Sequence, residues 1–306
     1  MTGPGGLPFT VEGTLPDLHE PVLVTMLTGW IDASGAAAGA MEHLAGETAA
    51  RTLVTFDDDT FIDFRARRPV MELREGVNTR IVWSAPELRV GRDGEGRDVL
   101  LLTGPEPDAA WRRFADVVAG LARQLGVVRM VGLGAYPYGA PHTRPVGITA
   151  TSPDADVVAR LGFSRSSLDA PAGVEAILEH ALHSVGIESF GLWAQVPHYV
   201  ASMSYPGASA ALLEALARVT GLALETAPLR REAGIQSERL DALVASNAEH
   251  AEMLRRLEAA YDAVTPPVPA IDQPIPSVDE LAAEVEQFLR EQQDKDQSDG
   301  KDQHGG

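Results

Sequence analysis

Short apolar runs alternate with longer stretches in which apolar residues return every third or fourth position, the pattern of strands separated by helices. Pro21 to Leu27 is the first run. After Gly29, Trp30, Ile31 and Asp32, an Ala-rich stretch from Ser34 to Leu44 reads as a helix. Further runs fall at Thr52 to Phe56 and Arg80 to Trp83. Leu88 to Val90 and Val99 to Thr103 flank Arg92-Asp93-Gly94-Glu95-Gly96, a hairpin signal with Asp-Gly at its tip. Trp111, Phe114, Val117, Val118, Leu121 and Leu125 trace one helical face, which Gly126 ends before the buried run Val127 to Val131. Two further helix-then-strand pairs follow: Gly173 to Val185 with Glu188 to Val196, and Ala208 to Thr220 with Leu222 to Glu225. Strands separated by helices require right-handed crossovers. The expected fold class is therefore α/β, a largely parallel sheet covered by helices on both faces, with a C-terminal helical appendage.

The rhythm changes near Leu229. Leu240, Leu243, Val244, Asn247, Ala251, Leu254, Leu257 and Tyr261 form a seam without an intervening strand, which predicts one long helix or a kinked pair. Five prolines between Thr265 and Pro276 fix an extended linker, and Ser277 with Glu280 makes a capping box for a last short helix. The expected organisation is an N-terminal arm over 1–20, an α/β core over 21–227 and a helical region over 228–290 with its Pro-rich linker at 265–276. A disordered acidic tail over 291–306 completes it.

Composition narrows the functional classes. The net charge is −19. In the tail, Glu291, Asp294, Asp296, Asp299 and Asp302 face Lys295 and Lys301, so most of the acidity belongs to the folded body and argues against nucleic acid as a partner. Cysteine is absent, which removes disulfides, thiolate metal sites and cysteine nucleophiles. The first ten residues lack the charged and apolar regions of a signal peptide, and no run is long enough to span a bilayer; the expectation is a cytoplasmic protein with no membrane partner. The predominance of Arg over Lys, with abundant Ala and Gly, points to a GC-rich bacterial genome.

The most distinctive segment is Gly132 to Ile148, GLGAYPYGAPHTRPVGI, read as a loop that follows a parallel strand at the carboxyl edge, where open α/β sheets place ligands. Pro141 and Pro145 restrict His142 and Arg144 between them. One reading makes His142 a general base or metal ligand and Arg144 an anion clamp. The other makes His142 a cap for backbone groups and pairs Arg144 with a carboxylate, and the residue types alone favour this one. A second Pro-His pair, Pro197-His198-Tyr199, and the turn holding Trp30 and Asp32 emerge at the same edge. The candidate site, or subunit contact, is thus Trp30, Asp32, His142, Arg144, His198 and Tyr199. Gly132 and Gly134 lack the third glycine of a dinucleotide fingerprint, and no phosphate-loop, nucleophile-elbow or zinc-protease motif is present. His180 and His183 read as solvated helix positions, and Asp57 to Asp59 as a solvated turn. No cofactor or metal is expected.

Three separated segments carry a resemblance: Gly29-Trp30-Ile31-Asp32-Ala33, Pro141-His142-Thr143-Arg144-Pro145, and Leu192-Trp193-Ala194-Gln195-Val196-Pro197-His198-Tyr199. In order, they resemble the signature stretches of the proteasome assembly chaperone 2 family in its actinobacterial branch, and the similarity runs from about Glu20 to Arg290. The resemblance implies a phosphorylase/hydrolase-like core and an assembly or interaction protein with no established catalysis. Some relatives dock on the proteasome ring through a C-terminal hydrophobic-Tyr-any tripeptide; this sequence ends Asp302-Gln303-His304-Gly305-Gly306 and departs from that pattern. The expectation is a homo-oligomer, with three as the expected subunit count, that binds a protein partner. The alternative is an anion- or metal-dependent small-molecule enzyme or binder using His142, Arg144 and His198.

Overall fold

A computed structural model describes residues 7–165 and 167–264. The expectations for the linker at 265–276, the helix after Ser277 and the tail at 291–306 lie outside the described residues. The chain divides into two compact units, Met1–Tyr261 and Asp262–Gly306, and the architecture below belongs to the first.

In chain order, β1 (Phe9–Val11) and β2 (Val22–Thr25) lead into a short 3₁₀ turn at Ala33–Gly35 and α1 (Ala36–Glu47). Next come β3 (Arg51–Phe56), the single turn α2 (Asp58–Phe61), and two hairpins, β4 (Val70–Arg74) with β5 (Val77–Val82) and β6 (Glu87–Arg92) with β7 (Asp98–Thr103). Then follow α3 (Trp111–Gln124), β8 (Arg129–Tyr138), β9 (Ile148–Thr151), α4 (Ala155–Leu161), α5 (Val174–Ser184) and β10 (Glu188–Pro197). The last elements are α6 (Pro206–Thr220), α7 (Ala227–Ala245) and α8 (Ala248–Val264).

Eight strands form one sheet in the order β1-β3-β6-β7-β2-β8-β10-β9. β7, β2, β8 and β10 are parallel neighbours and β3 runs with them, whereas β1, β6 and β9 run the other way. β2 sits at the centre and is buried throughout, which is why it reads as an unbroken apolar run. Its alternate residues serve opposite faces. Val24 joins the α1 and α6 side with Met41, Leu44 and Leu212, and Leu23 joins the α3 and α5 side with Leu121 and Leu178. The α3 stripe faces inward as its spacing predicts, and Phe114 packs between Phe56 and Phe61 with ring centroids 4.8 and 5.2 Å apart.

Several expectations are corrected. Gly132 to Tyr138 is not loop: β8 continues through it, paired with β10 as far as Tyr138 opposite Pro197. Glycine marks close packing here, since a Cβ on Gly134 would stand 2.3 Å from Cζ3 of Trp193. Leu222 to Glu225 forms no strand; Ala223 instead donates its N–H to Asp93 Oδ2 at 2.9 Å, tying this segment to the β6–β7 tip. The run at Arg80 to Trp83 belongs to the separate β4–β5 ribbon, outside the main sheet. β9 and α4, which no pattern announced, close the far edge. The C-terminal seam breaks at Asn247, whose Oδ1 accepts from the N–H groups of Glu249 and His250 and caps α8. Leu243, assigned to that seam, is 60% exposed.

Candidate functional site at the carboxyl edge

Where β8 ends, the segment Pro141 to Pro145 turns across the edge of the sheet. The side chain of His142 has no exposed surface. Its backbone N–H donates to Tyr199 Oη at 2.8 Å, Nδ1 lies 2.7 Å from the same oxygen, and Nε2 lies 3.1 Å from Oδ1 of Asp241 on α7. A phenol that accepts the backbone proton donates its own to Nδ1, which leaves Nε2–H to donate to Asp241. Burial pushes the Tyr199 phenol up and keeps it in this donor form. The next two residues face α8. Thr143 Oγ1 donates to Glu258 Oε1 at 2.5 Å, and Arg144 Nη1 lies 3.3 Å from the same oxygen. Tyr261 Oη donates to the Pro145 carbonyl at 3.2 Å. The loop is therefore fastened by the chain's own α7 and α8.

The other candidates divide. The Asp32 carboxylate accepts from the N–H groups of Ala37 and Ala38 at 2.8 and 3.0 Å, capping α1, while burial pushes its pKa up against these bonds. Ser34, at a φ of 64°, donates its N–H to Ala201 and its hydroxyl to Val200 and so joins the Asp32 turn to the turn at His198–Val200. Asp32, Tyr199 and His142 thus sit in one connected arrangement. Arg144 turns to α8. His198 is exposed on the outside of its turn, its ring 5.3 Å from that of Tyr199. Trp30, 41% exposed, leans towards α5, where a Cβ on Gly173 would stand 2.8 Å from its Cδ1. His180 and His183 are exposed on α5, as solvated helix positions.

Three carboxyl groups near the Trp30 side were not anticipated. Glu106 Oε1 accepts from the Val174 N–H at 2.6 Å at the start of α5. Glu179 accepts from Thr151 Oγ1 at 3.0 Å, and burial raises it to about 7. Glu175 is pushed well above the usual carboxylate range by burial and then by the charges of Glu179, Glu106 and Asp32; its buried Oε1 has no hydrogen-bond partner among the described residues. Glycines make room for them: a Cβ on Gly132 would meet Glu175 Oε1 at 1.9 Å, and one on Gly191 would meet Glu179 Oε1 at 2.8 Å. The available signal was two acids four residues apart on a helix whose neighbouring stripe, Val174, Leu178 and Leu182, is core.

The edge can hold a loop rigidly. Both ring nitrogens of His142 are engaged, so proton transfer to an outside substrate requires breaking one of those bonds. The fold and this edge define an α/β protein whose C-terminal helices seal the carboxyl end of its own sheet. The family model of the PAC2 family matches residues 26–244, and the chain belongs to that family. No curated protein matches it. Among solved structures it is similar to a Mycobacterium tuberculosis protein of unknown function, at 34% identity and TM-score 0.77 over 86% of this chain and 94% of that one. A PAC2 family protein from Streptomyces avermitilis is 34% identical, TM-score 0.69, over 76% of this chain and 99% of that one. A proteasome-assembly chaperone homologue of Mycobacterium tuberculosis is 32% identical, TM-score 0.70, with the same two shares, 76% and 99%. Among the described residues no helix is long and apolar enough to cross a membrane.

Proposed function

We propose that this chain is a non-enzymatic, assembly-chaperone-like protein of the cytoplasm. It self-associates through its α/β core and offers its C-terminal helices to a protein partner. The observation that carries this reading is the engagement of His142, Thr143 and Arg144 by Asp241 and Glu258, because polar groups already satisfied within the chain are poorly placed to take a substrate. The 32% identical relative known as a proteasome-assembly chaperone homologue supports the class of partner, and proteasome subunits are the first to try.

Sedimentation velocity of the full chain, alone at micromolar concentration and mixed with proteasome α-type subunits, tests it. The reading predicts an oligomer alone and a heavier complex in the mixture. A monomer that leaves the subunits untouched, yet binds phosphate or a divalent metal with an affinity lost in Arg144→Ala, would replace it with the small-molecule alternative.

A further inference from the structure

The β4–β5 hairpin stands apart from the main sheet, and a lone two-stranded ribbon is marginal in water unless something covers it. Val70, Met71, Leu73 and Val77 are each more than half exposed, as is Trp83 just beyond, whose ring meets Phe64 at 4.7 Å. The segment from Arg65 to Arg80, which leads into and includes the hairpin, carries five arginines against Glu72 and Glu75 in an otherwise acidic protein, and Arg74 lies 4.0 Å from Glu72. Arg65, Arg68 and Arg80 are exposed and make no ion pair among the described residues, whereas Arg67 is held by Asp108.

The opposite character appears on the α1 side of the molecule. An open groove of about 570 Å³ runs between α1 and the start of α6 and α7. Gly35, Gly39 and Gly46 leave its floor bare, and Glu42, Glu225 and Glu232 line it, exposed and without an ion pair among the described residues. Glu47 Oε1 accepts from the Glu225 N–H, but its buried Oε2 has no hydrogen-bond partner among the described residues, and His43 Nε2 is 3.9 Å away. One turn beyond Glu232, Ile235 is 53% exposed.

Resting on the self-association proposed above, we infer that the occupant of this groove is the β4–β5 hairpin of a second copy of this chain. The arginines would meet Glu42 and Glu232, and Val70 and Val77, which the register places on the ribbon face of Arg80, would leave water with them. Exposed Arg and Trp beside an apolar patch are the residue types on which interfaces concentrate their energy, and the charges of the two surfaces are complementary. Because hairpin and groove are different surfaces of one molecule, the contact satisfies every copy either as a reciprocal two-fold pair or, head-to-tail, as a closed ring.

The test is sedimentation velocity of the full chain over a concentration series, with melting curves as the folding control. Arg68→Glu with Arg80→Glu reverses the hairpin, and Glu42→Arg with Glu232→Arg reverses the groove. Each pair alone is expected to raise the dissociation constant at least about tenfold, and the four together to bring it back to within about threefold of the wild type. Val70→Ser with Val77→Ser, which leaves the charges alone, is expected to weaken association as well. An oligomer that neither reversal weakens, or that the combination does not restore, overturns the hairpin-in-groove contact while leaving self-association standing. A wild type that stays monomeric throughout removes both.

Discussion

The Pro141–Pro145 loop and the β4–β5 hairpin are both surface excursions that carry arginine, and their fates are opposite. The loop is covered by α7 and α8 of the same chain until His142 has no exposed side-chain surface, whereas the hairpin keeps Val70 and Val77 more than 60% exposed. Their chemistry explains the difference. Polar groups confined by two prolines need dedicated partners, which the chain itself provides from 99 to 116 residues away. An exposed apolar ribbon is the kind of surface that another molecule covers. The loop's polar groups are met from within the chain, and the hairpin's apolar side chains are left in water.

The largest expected effect sets the background against which the two regions are measured. Folded Glu179 keeps its proton to about 7, against an ordinary value of 4.5 in the unfolded chain. Between those values the unfolded state releases a proton that the folded state retains, so the Glu179 contribution to stability falls as pH rises through this window. The loss is about 3 kcal/mol. Melting curves at pH 5 and pH 8 should differ by at least this much, with Glu175 adding to the loss in the same direction; Glu179→Gln should remove part of the difference and Glu175→Gln with Glu179→Gln most of it, and a wild type equally stable at both would show both groups ionised in the fold. Next in size is His142→Ala, which empties a buried space and takes from Tyr199 Oη its acceptor, while Asp241, 56% exposed, turns to water. It should destabilise the monomer by roughly 2–3 kcal/mol in urea titration. An unchanged midpoint would mean that the loop is not sealed. Smallest is Arg144→Ala. Its side chain is 32% exposed and that of Glu258 26%, so solvent screens the pair, and the same titration should show less than about 1 kcal/mol. A larger loss would make Arg144 the keystone of the edge in place of His142.

Sequence pattern reached those elements whose apolar periodicity is long or whose turn chemistry is strong. α3, α5, α6 and the β6–β7 hairpin are where Phe114, Leu178, Leu212 and Asp93-Gly94 put them. It missed β9 because Ile148–Thr151 is only 4 residues, and α4 because one turn of apolar residues carries little period. It cut β8 short because Gly132 and Gly134 look like turn signals when only the folded sheet reveals Glu175 and Trp193 lying against them. Of the candidate site, His142 and Tyr199 share one hydrogen-bonded group with the Asp32 turn beside it, because parallel strands do bring those loops to one edge. Asp241 and Glu258 stayed invisible: an exposed acid on a polar helix face carries no mark of the remote loop it will bind. Charge runs were equally silent about the hairpin, since Arg65 to Arg80 stand out only once the rest of the surface is known to be acidic.

The central claim is that the chain seals its own edge, and the absence of cysteine makes it directly measurable. Thr143→Cys with Glu258→Cys puts two thiols at positions whose native side chains touch, without any competing thiol. Treated with a short bismaleimide, the double variant should cross-link within one chain and run at monomer mass, even when diluted far below the association range. Cross-links found only between chains, or thiols that react singly and never link, would place α8 elsewhere and contradict the account.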